Sequence, residues 1–518
     1  MSQAAHNKPT EQLAIIGGGI SGLTAAYYAL KNGQDPASIT VYEGAGRLGG
    51  KIQTGYLGGD PSRPVNMGAE FIDSDHTRLI GICNELGVKL KASNDQGNEI
   101  FQRPDGTRMD GDAFHAAYGP LHARIMADKA EVLKNPDGPL AQRINALSMN
   151  DYLTELRQST PAEANPGILK RVANLVTGTQ NLVKPEITTM AMQAFASEVG
   201  QPPQNVSALQ FLHEASAEAG SFLDSDCAYR VEGGTEKVID ALKQHLTEKG
   251  VKFETNAPVK RVEKDGNGSL ITFDREGAAP VKADKVVLAL PAYALGKIEG
   301  LETLGMNPQA RDYIGGMQYT NSIKFTVKLK DGVTPPDGNF FANHGMQVWS
   351  GNPGELTFLV NADKLEKMTA PQLVQASLEN YARTNNMDPN ALFDRSRGNI
   401  VFNNPGKASG CYRTQSAGDT RKDEHLAEAL AGMHQHGVAV TGTFLPLKNE
   451  NGIGVGFMEC GIASSERAID QLVAPKKERS AAVQQILDRG ASNDNEGHVA
   501  ALEQRRAAEP AAATTATR

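Results

Sequence analysis

Residues 11–50 constrain the fold more than any other stretch of the chain. The apolar run Leu13–Ile16 is typical of a buried parallel strand, and a glycine-rich turn follows it directly. A helical pattern over residues 23–30 and a second apolar run, Ile39–Tyr42, come next. This order of strand, turn, helix and strand predicts the first unit of a dinucleotide-binding domain.

The glycines of the turn, Gly17, Gly19 and Gly22, follow the spacing G-x-G-x-x-G. One makes the tight turn, one lets a pyrophosphate approach the backbone, and one lets the helix pack closely on the strand. The unpaired N–H groups at the helix start attract the phosphate. Glu43 ends the second strand, where a carboxylate binds the ribose in such units. The alternative, a glycine turn without a ligand, does not explain the complete unit.

The residues after Glu43 distinguish between dinucleotides. Arg47, Gly49, Gly50 and Lys51 occur in EGAGRLGGK. This segment resembles the E-x-x-x-R-x-G-G segment of the flavin amine oxidase superfamily, which includes monoamine, polyamine and protoporphyrinogen oxidases. The resemblance implies FAD, because NAD dehydrogenases lack the segment. It also implies cofactor contacts at Gly17, Gly19, Ile20, Ser21, Gly22, Glu43, Gly46, Arg47, Gly49 and Gly50.

Composition limits the number of domains, the kinds of binding partner and the cellular compartment of the protein. A chain of 518 residues is long enough for two folding units. The net charge of −8 argues against nucleic acid or an anionic membrane as the main partner. No apolar run reaches the roughly 18 residues of a membrane span, and the polar N-terminus does not resemble a signal peptide. Four scattered cysteines without metal-ligand spacing predict no metal site and favour a reduced cytoplasm.

The whole chain predicts an α/β fold (α+β overall) in which a Rossmann-type FAD-binding domain alternates with a substrate domain. The resemblance extends over residues 11–472. The substrate domain is expected to combine a mixed sheet with a helical insertion between residues 110 and 220. The tail after residue 475 has one amphipathic pattern, at 477–488, and otherwise lacks the composition of a core. The predicted segments are 11–90, 222–300 and 430–472 for the FAD-binding domain, 91–221 and 301–429 for the substrate domain, and 1–10 and 475–518 for the tails.

Three later segments resemble parts of the family that lie against the cofactor. The first, with Gly68, Ala69 and Glu70, lies along the flavin in the family. L-amino-acid oxidases tend to carry an arginine there for the substrate carboxylate, and its lack here favours amines over amino acids. Val259 stands at the adenine contact position. The last strand ends at Gly442, and relatives usually carry an acid at the next position, where this chain has Thr443.

The flavin performs the oxidation, so the resemblance assigns few groups to the protein. Lys324 matches a lysine that reaches the flavin through a water and promotes its reaction with oxygen. The alternative is an outward lysine on an alternating strand, as expected for Lys328.

Tyr412 and Phe457 match the two walls of an aromatic cage, and Met458 follows the second wall. Cys411 stands where monoamine oxidases attach FAD as a thioether; the alternative is a small buried side chain with no bond. Cys460 and Ser465 replace glycines expected near the flavin. The pair His434 and His436 is expected to be a solvated loop without a metal.

These observations predict an FAD-dependent oxidase of primary or secondary amines. The small-molecule amine would become an imine and then a carbonyl compound, and molecular oxygen would become hydrogen peroxide. One alternative is a flavin desaturase or dehydrogenase of the protoporphyrinogen oxidase kind, or an L-amino-acid oxidase. Another is an inactive FAD-binding scaffold, for which Thr443 and Cys460 are the only support. The oligomeric state stays open, and a homodimer is one alternative.

Overall fold

The structure is a computed structural model of the chain. It describes residues 11–93, 99–160, 182–216, 223, 225–336, 338–343, 345–361, 368–403, 411–449 and 452–473. The amphipathic pattern predicted at residues 477–488 lies outside these ranges.

The described residues form fourteen α-helices and twenty-two strands, linked by short 3₁₀ turns. The helices are α1 (Ile20–Lys31), α2 (Thr77–Glu85), α3 (Gly111–Lys134), α4 (Pro139–Asn145), α5 (Met149–Gln158), α6 (Pro185–Val199), α7 (Ala208–Glu214), α8 (Glu236–Lys249), α9 (Ala292–Leu295), α10 (Pro308–Gly315), α11 (Ala370–Thr384), α12 (Pro389–Leu392), α13 (Asp419–Ala431) and α14 (Met458–Leu472).

The strands are β1 (Leu13–Ile16), β2 (Ile39–Tyr42), β3 (Thr54–Tyr56), β4 (Pro64–Asn66), β5 (Phe71–Ile72), β6 (Leu90–Ala92), β7 (Glu99–Gln102), β8 (Arg108–Asp110), β9 (Tyr229–Val231), β10 (Lys252–Glu254), β11 (Val259–Asp265), β12 (Gly268–Phe273), β13 (Val281–Ala283), β14 (Lys285–Leu288), β15 (Ser322–Lys328), β16 (Asn339–Ala342), β17 (Met346–Trp349), β18 (Glu355–Asn361), β19 (Ile400–Asn403), β20 (Val438–Val440), β21 (Leu447–Asn449) and β22 (Gly452–Gly454).

A five-stranded parallel sheet is built from three separate parts of the chain, in the order β10-β2-β1-β14-β20. The central strand β1 is buried at all four residues, as its apolar run predicts. Its helix α1 begins at Ile20, three residues earlier than predicted, because the third glycine lies inside the first turn. A Cβ on Gly22 would lie only 1.8 Å from the carbonyl oxygen of Gly17.

A seven-stranded mixed sheet forms the second layer, in the order β19-β15-β18-β17-β16-β7-β8. Strands from the two predicted parts of the substrate domain meet where β7 pairs in parallel with β16. This arrangement confirms the predicted α/β fold class; the exact domain boundaries stay a prediction. Lys324 on β15 is 7% exposed, whereas Lys328 reaches Asp394 at the surface. The outward orientation considered for Lys324 is therefore wrong.

The helical insertion predicted between residues 110 and 220 is present as α3 to α7, apart from the residues that are not described. Helix α3 ends at Lys134, two residues before Pro136, and α6 ends at Val199, before Gly200 and Pro202. The insertion has its own core of aromatic and aliphatic side chains, including Phe114, Phe195 and Phe211. It packs on the seven-stranded sheet through Phe341.

His434 and His436 lie in a 3₁₀ turn and not in the expected loop. Both side chains are half-buried, and burial lowers the pKa of His434. The four cysteines are all free thiols. In the described part of the chain, none of the helices has the length and apolar character required to cross a membrane.

Candidate active site

One cavity of about 1360 Å³ runs from the carboxyl ends of the parallel strands to the seven-stranded sheet. It exceeds the roughly 300–1,000 Å³ of an ordinary small-molecule pocket, so it has room for a dinucleotide and a substrate. Of the residues predicted as site residues, it is lined by Gly17, Gly19, Ile20, Ser21, Glu43, Arg47, Gly49, Gly50, Gly68, Ala69, Glu70, Val259, Lys324, Cys411, Tyr412, Gly442, Thr443, Phe457 and Met458.

Gly22 and Gly46 are the predicted residues that do not line the cavity. Gly22 lies in the first turn of α1, where a side chain would collide with Gly17. A Cβ on Gly46 would lie 3.3 Å from Oδ1 of Asn256, so this glycine packs against the loop before β11. Both glycines therefore allow close packing next to the cavity wall without lining it.

The turn after β1 has the geometry of a phosphate cradle. Gly17 has φ +109°, and a Cβ there would lie 2.3 Å from the carbonyl oxygen of Ala289. Gly19 precedes α1 without a side-chain cap, so amides at the helix start face the cavity. Glu43 accepts hydrogen bonds from the backbone N–H of Gly18 at 2.8 Å and of Ala45 at 2.7 Å. These bonds hold its carboxylate at the end of β2, where the motif predicts it.

Arg47 braces the loop that faces this turn. Its guanidinium donates to the carbonyl oxygens of Leu48 at 3.1 Å, Gly50 at 2.7 Å and Ile52 at 3.3 Å. These bonds hold Gly49 with φ +102°, a conformation that favours glycine.

Lys51 lines the cavity, although the sequence did not predict it as a site residue. Its Nζ is buried without a hydrogen-bond partner in the described structure, and it lies 4.2 Å from the ring centroid of Tyr319. Burial lowers the pKa of Lys51 to about 8. An unpaired buried ammonium on the cavity wall fits an anionic group of a ligand. Its position directly after the double glycine was the available signal.

Lys324 belongs to a buried ionic network. Its Nζ lies 2.5 Å from Oε2 of Glu70 and 3.0 Å from the carbonyl oxygen of Gly68. Arg230 lies on the other side of Glu70, with Nε 3.3 Å from Oε1, and Trp349 donates to the same oxygen at 3.4 Å. Burial alone would raise the pKa of Glu70, but Lys324 and Arg230 outweigh it and lower that pKa.

The network changes the interpretation of Glu70, which was predicted only as a flavin contact. Its carboxylate lies between Arg230 and the cavity, so the arginine does not line the cavity wall. An ammonium has three protons to donate, and Lys324 uses two of its donor positions on protein oxygens. The third can serve a ligand or a water in the cavity.

Tyr412 and Phe457 are brought to one part of the cavity wall. A Cβ on Gly456 would lie 3.6 Å from Cβ of Tyr412, so the turn before Phe457 packs on the tyrosine. The Tyr412 hydroxyl donates to the backbone oxygen of Glu198, and the Phe457 ring lies 5.6 Å from the ring of His76. Both rings are half-buried, as cavity-lining side chains should be.

Cys411 lies beside Tyr412, and its Sγ donates to the carbonyl oxygen of Ser322 at 3.4 Å. Burial raises the pKa of this thiol, with Lys51 and Lys324 acting in the opposite direction. The segment is anchored by the next residue, Arg413, whose guanidinium lies 2.7 Å from the fully buried Asp423. The thiol is thus fixed in the cavity but is held mainly in its protonated form.

The departures near the last strand have structural roles. The Ser465 hydroxyl donates to the backbone oxygen of Ser21 at 2.7 Å, which ties α14 to the start of α1. Cys460 is buried, and Thr443 lines the cavity. Sequence reasoning could not place Ser465, because its partner is 444 residues away.

The far wall contains carboxylates that the sequence did not reveal. Glu198 on α6 accepts from Gln347 at 2.7 Å, and Gln347 lies on the same sheet row as Lys324, with Leu359 between them. Burial, with Glu214 nearby, raises the pKa of Glu198 to about 8. Glu214 also lines the cavity. This wall therefore suits a cationic or neutral ligand better than an anionic one.

A family model described as flavin-containing amine oxidoreductase matches residues 20–395, more than half of the chain. The chain belongs to this family. The match includes Glu70 and Lys324 but ends before Cys411, Tyr412 and Phe457, whose assignment rests on the resemblance of their own segments.

Curated relatives have similar descriptions. A putative flavin-containing monoamine oxidase of Mycobacterium tuberculosis is 24% identical over 306 residues, which cover 56% of this chain and 59% of the relative. A putrescine oxidase of Kocuria rosea is 23% identical over 312 residues, which cover 55% of this chain and 58% of the relative. The chain thus matches about three fifths of the length of these relatives.

Solved structures agree on the fold. A putrescine oxidase double mutant has a TM-score of 0.67 at 19% identity, covering 90% of this chain and 99% of that chain. Cyclohexylamine oxidase from Brevibacterium oxydans IH-35A has the same TM-score at 18% identity, with the same coverage.

Proposed function

We propose that this protein is an FAD-dependent oxidase of small amines. The observation that carries the proposal is the single cavity that joins the dinucleotide turn to a buried ammonium, Lys324, and to two aromatic rings. Its residues fit FAD: the glycine turn leaves space at Gly19, Glu43 is fixed for a ribose, and Lys51 offers an unpaired charge. When bound, FAD supplies the acceptor for the hydride of the substrate.

The residues of the chain would hold the substrate and exclude water. Tyr412 and Phe457 narrow the approach to the flavin and replace water around the substrate nitrogen with ring faces. Lys324 lines the same cavity and has one ammonium proton left after its bonds to Gly68 and Glu70. In the overall reaction the amine loses two electrons and two protons to become an imine, oxygen gains them to become hydrogen peroxide, and water then hydrolyses the imine.

Charge on the cavity wall supports amines over amino acids. The guanidinium of Arg230 lies behind Glu70, so the carboxylate of Glu70 faces the cavity in its place. Glu198 and Glu214 add further acidic groups. These carboxyl groups offer hydrogen-bond acceptors to an amine but no positive charge to a substrate carboxylate.

The test is reconstitution of the full chain with FAD, followed by anaerobic mixing with amines and with the matching α-amino acids. We expect amines to bleach the flavin faster and to yield hydrogen peroxide when air is admitted. A protein that takes up no FAD, or a flavin that is reduced faster by amino acids, would overturn the proposal. Bleaching by none of the amines would favour the inactive scaffold.

A second candidate is oxidation of a porphyrinogen. A coproporphyrinogen III oxidase of Mycobacterium bovis is 40% identical over 74 residues, which cover 14% of this chain and 16% of the relative. The match is short, and the acidic wall disfavours a polycarboxylate substrate. An assay with a porphyrinogen in place of the amine distinguishes the two.

Attachment of FAD through Cys411 and location in the cytoplasm are separate parts of the proposal. If the thioether forms, acid-precipitated protein stays yellow and a peptide with Cys411 gains the mass of FAD. If it does not, the precipitate is colourless and the amine oxidase proposal is unaffected. Four free thiols support a reducing compartment.

A further inference from the structure

A second, small void lies behind the Lys324–Glu70 pair, on the side away from the large cavity. Its volume is about 20 Å³, enough for one water. Its walls are polar, and the groups that a water could contact include Glu70, Arg230, Glu355, Thr357, Asn352 and Lys91. A polar void of this size with several partners is the kind of site that holds an ordered water.

Two carboxylates face each other across this void. A Cβ placed on Gly351 would lie 3.1 Å from Oε1 of Glu355, 3.4 Å from Oγ1 of Thr357 and 3.9 Å from Oε1 of Glu70. The missing side chain at Gly351 therefore leaves space between the two acids. Gly351 has no positive φ, so only this space, and not the backbone conformation, calls for glycine.

The two carboxylate oxygens of Glu70 face different spaces, one toward the large cavity and one toward the void. Oε2 lies 2.5 Å from Nζ of Lys324, which lines the large cavity. Oε1 faces Arg230, Trp349 and the void. Glu70 is thus the only described carboxylate that lines both the large cavity and the void.

Glu355 links the void to the surface. It is 2% exposed and accepts a hydrogen bond from Nδ2 of Asn352 at 2.5 Å. Asn352 in turn accepts from Nζ of Lys91, an exposed side chain, at 3.0 Å. The charged groups facing Glu355 are Arg63, with Nη2 3.9 Å away, and Arg230, Glu70 and Lys91 around the void.

We propose that Glu355 and a water in this void form a proton route between solvent and the Lys324–Glu70 pair. After Lys324 gives a proton to the cavity, Glu355 gives its own proton through the water to Glu70, and Glu70 passes it to the Lys324 amine. The Glu355 carboxylate then regains a proton from solvent on the Lys91 side of the void, and the same steps run in reverse when Lys324 takes up a proton. Glu355 touches no reacting atom and acts through Glu70 and Lys324, so it is a positioning residue for Lys324.

The protonation of Glu355 suits this role. Burial raises its pKa to about 7, with Asn352 and Arg63 acting in the opposite direction. A group that gains and loses a proton near neutral pH exchanges protons efficiently. The catalytic part of the inference rests on the proposed function, in which two protons leave the amine and two enter hydrogen peroxide.

The first test needs no activity. Infrared difference spectra of the full chain between acid and alkaline pH should show a protonated carboxylic acid that titrates with a midpoint near 7. Glu355→Gln should remove it, and Glu198→Gln should remove a separate acid with a midpoint near 8. Glu99→Gln, a matched partly buried acid that lines neither void nor cavity, should leave the Glu355 signal unchanged.

The infrared test also probes the link between the two acids. Glu70→Gln removes a like charge and leaves Lys324 and Arg230 uncompensated, so the Glu355 midpoint should fall. An unchanged midpoint in a folded Glu70→Gln protein would overturn the link. Gly351→Ala keeps every charge and fills the space between Glu70 and Glu355. It is therefore the alternative test variant if Glu70→Gln does not fold. It should raise the midpoint by displacing water, and an unchanged midpoint would again count against the link.

The second test uses the protein loaded with FAD. The rate at which oxygen reoxidises the reduced flavin should fall as the pH rises through about 7, where Glu355 loses its proton. In Glu355→Gln and Gly351→Ala the rate should drop by about tenfold and lose this pH dependence, while amine reduction changes little. Wild-type pH profiles in both variants would overturn the route. If the protein takes up no FAD, the proposed function fails. The infrared test on Glu70→Gln and Gly351→Ala then decides alone whether Glu70 and Glu355 share a proton site.

Discussion

The two ends of the large cavity are built in different ways. The central part of the nucleotide end is the turn after β1, the end of β2 and the loop braced by Arg47, all within residues 11–50; later segments such as that of Val259 complete it. The substrate end is formed by β15, β17, α6 and the segment with Tyr412, which lie far apart in the chain. The first end has its central motif in one continuous stretch of the chain, whereas the second is assembled entirely from distant segments. Substitutions at the two ends should therefore fail in different ways.

The largest effect is expected at the nucleotide end, for Gly19→Val. In this structure a Cβ at Gly19 meets only Cα of Gly50, at 3.9 Å, so the fold itself tolerates a side chain there. The same side chain would occupy the space that the pyrophosphate needs. We expect loss of FAD binding with little change in unfolding temperature before FAD is added. Absorbance of the reconstituted protein and thermal unfolding measure the two quantities.

The control is Gly22→Ala, whose Cβ would collide with Gly17 at 1.8 Å. This variant should lose stability as well as FAD binding. If Gly19→Val binds FAD like the wild type, the turn does not carry the pyrophosphate and the nucleotide end has been misassigned.

The difference between the ends also explains what the sequence could predict. The glycine spacing, the flanking strands and Glu43 are local features, and all appear where the pattern places them. The network at the substrate end joins Glu70 to Lys324 across 254 residues, with Arg230 between them in the chain. Resemblance identified Glu70 and Lys324 as separate site residues, but no spacing rule pairs them.

The sequence mispredicted other residues for the same physical reason, because long-range packing determines their surroundings. Glu198 and Gln347 look like ordinary polar residues of a helix and a strand until the sheet register places Gln347 in the row of Lys324. His434 and His436 looked like a polar loop, but Met433 anchors their turn in the core. Tertiary packing decides all these cases.

The second prediction tests the substrate end through Lys324. Lys324→Met removes the ammonium beside the cavity, and we expect reoxidation by oxygen to slow by about 10²-fold. Reduction by amine should slow much less, because the positive charge matters most when electrons leave the flavin. Stopped-flow measurement of the two half-reactions separates these effects.

Lys328→Met is the matched control, since it changes a lysine on the same strand that points to the surface. It should change neither half-reaction. Equal and small effects of the two substitutions would show that Lys324 is only a structural partner of Glu70.

The third prediction concerns the aromatic wall. Tyr412→Ala and Phe457→Ala should each lower amine turnover by roughly 1–3 kcal/mol of transition-state stabilisation, because ring packing is lost and water enters. FAD should stay bound in both variants, since the nucleotide end is untouched. Steady-state kcat/KM and the flavin content are the measurements.

Tyr56→Ala, at an aromatic residue that is 41% exposed, controls for the loss of a ring elsewhere in the chain. Wild-type turnover in both ring variants would show that Tyr412 and Phe457 do not form a functional cage, and would weaken the proposal that the substrates are amines. Loss of FAD in either variant would mean that the two ends of the cavity are not independent.

The smallest expected effect is on stability, at Glu198. Its pKa is raised from an ordinary 4.5 to about 8 by burial and by Glu214. The folded state therefore binds a proton that the unfolded state has already released between these two values, and the free energy of unfolding must fall as the pH rises through this window. Glu198→Gln cannot ionise, so its stability should depend less on pH, by about 1 kcal/mol between pH 6 and 8. Glu355 contributes to the pH dependence of stability with the same sign up to about pH 7, so the variant should reduce this dependence without abolishing it.

Urea unfolding at several pH values measures how steeply the free energy of unfolding changes with pH, with Glu302→Gln as the exposed control. A slope equal to that of the wild type would show that Glu198 is already ionised at neutral pH, and the acidic wall would then repel a substrate carboxylate even more strongly.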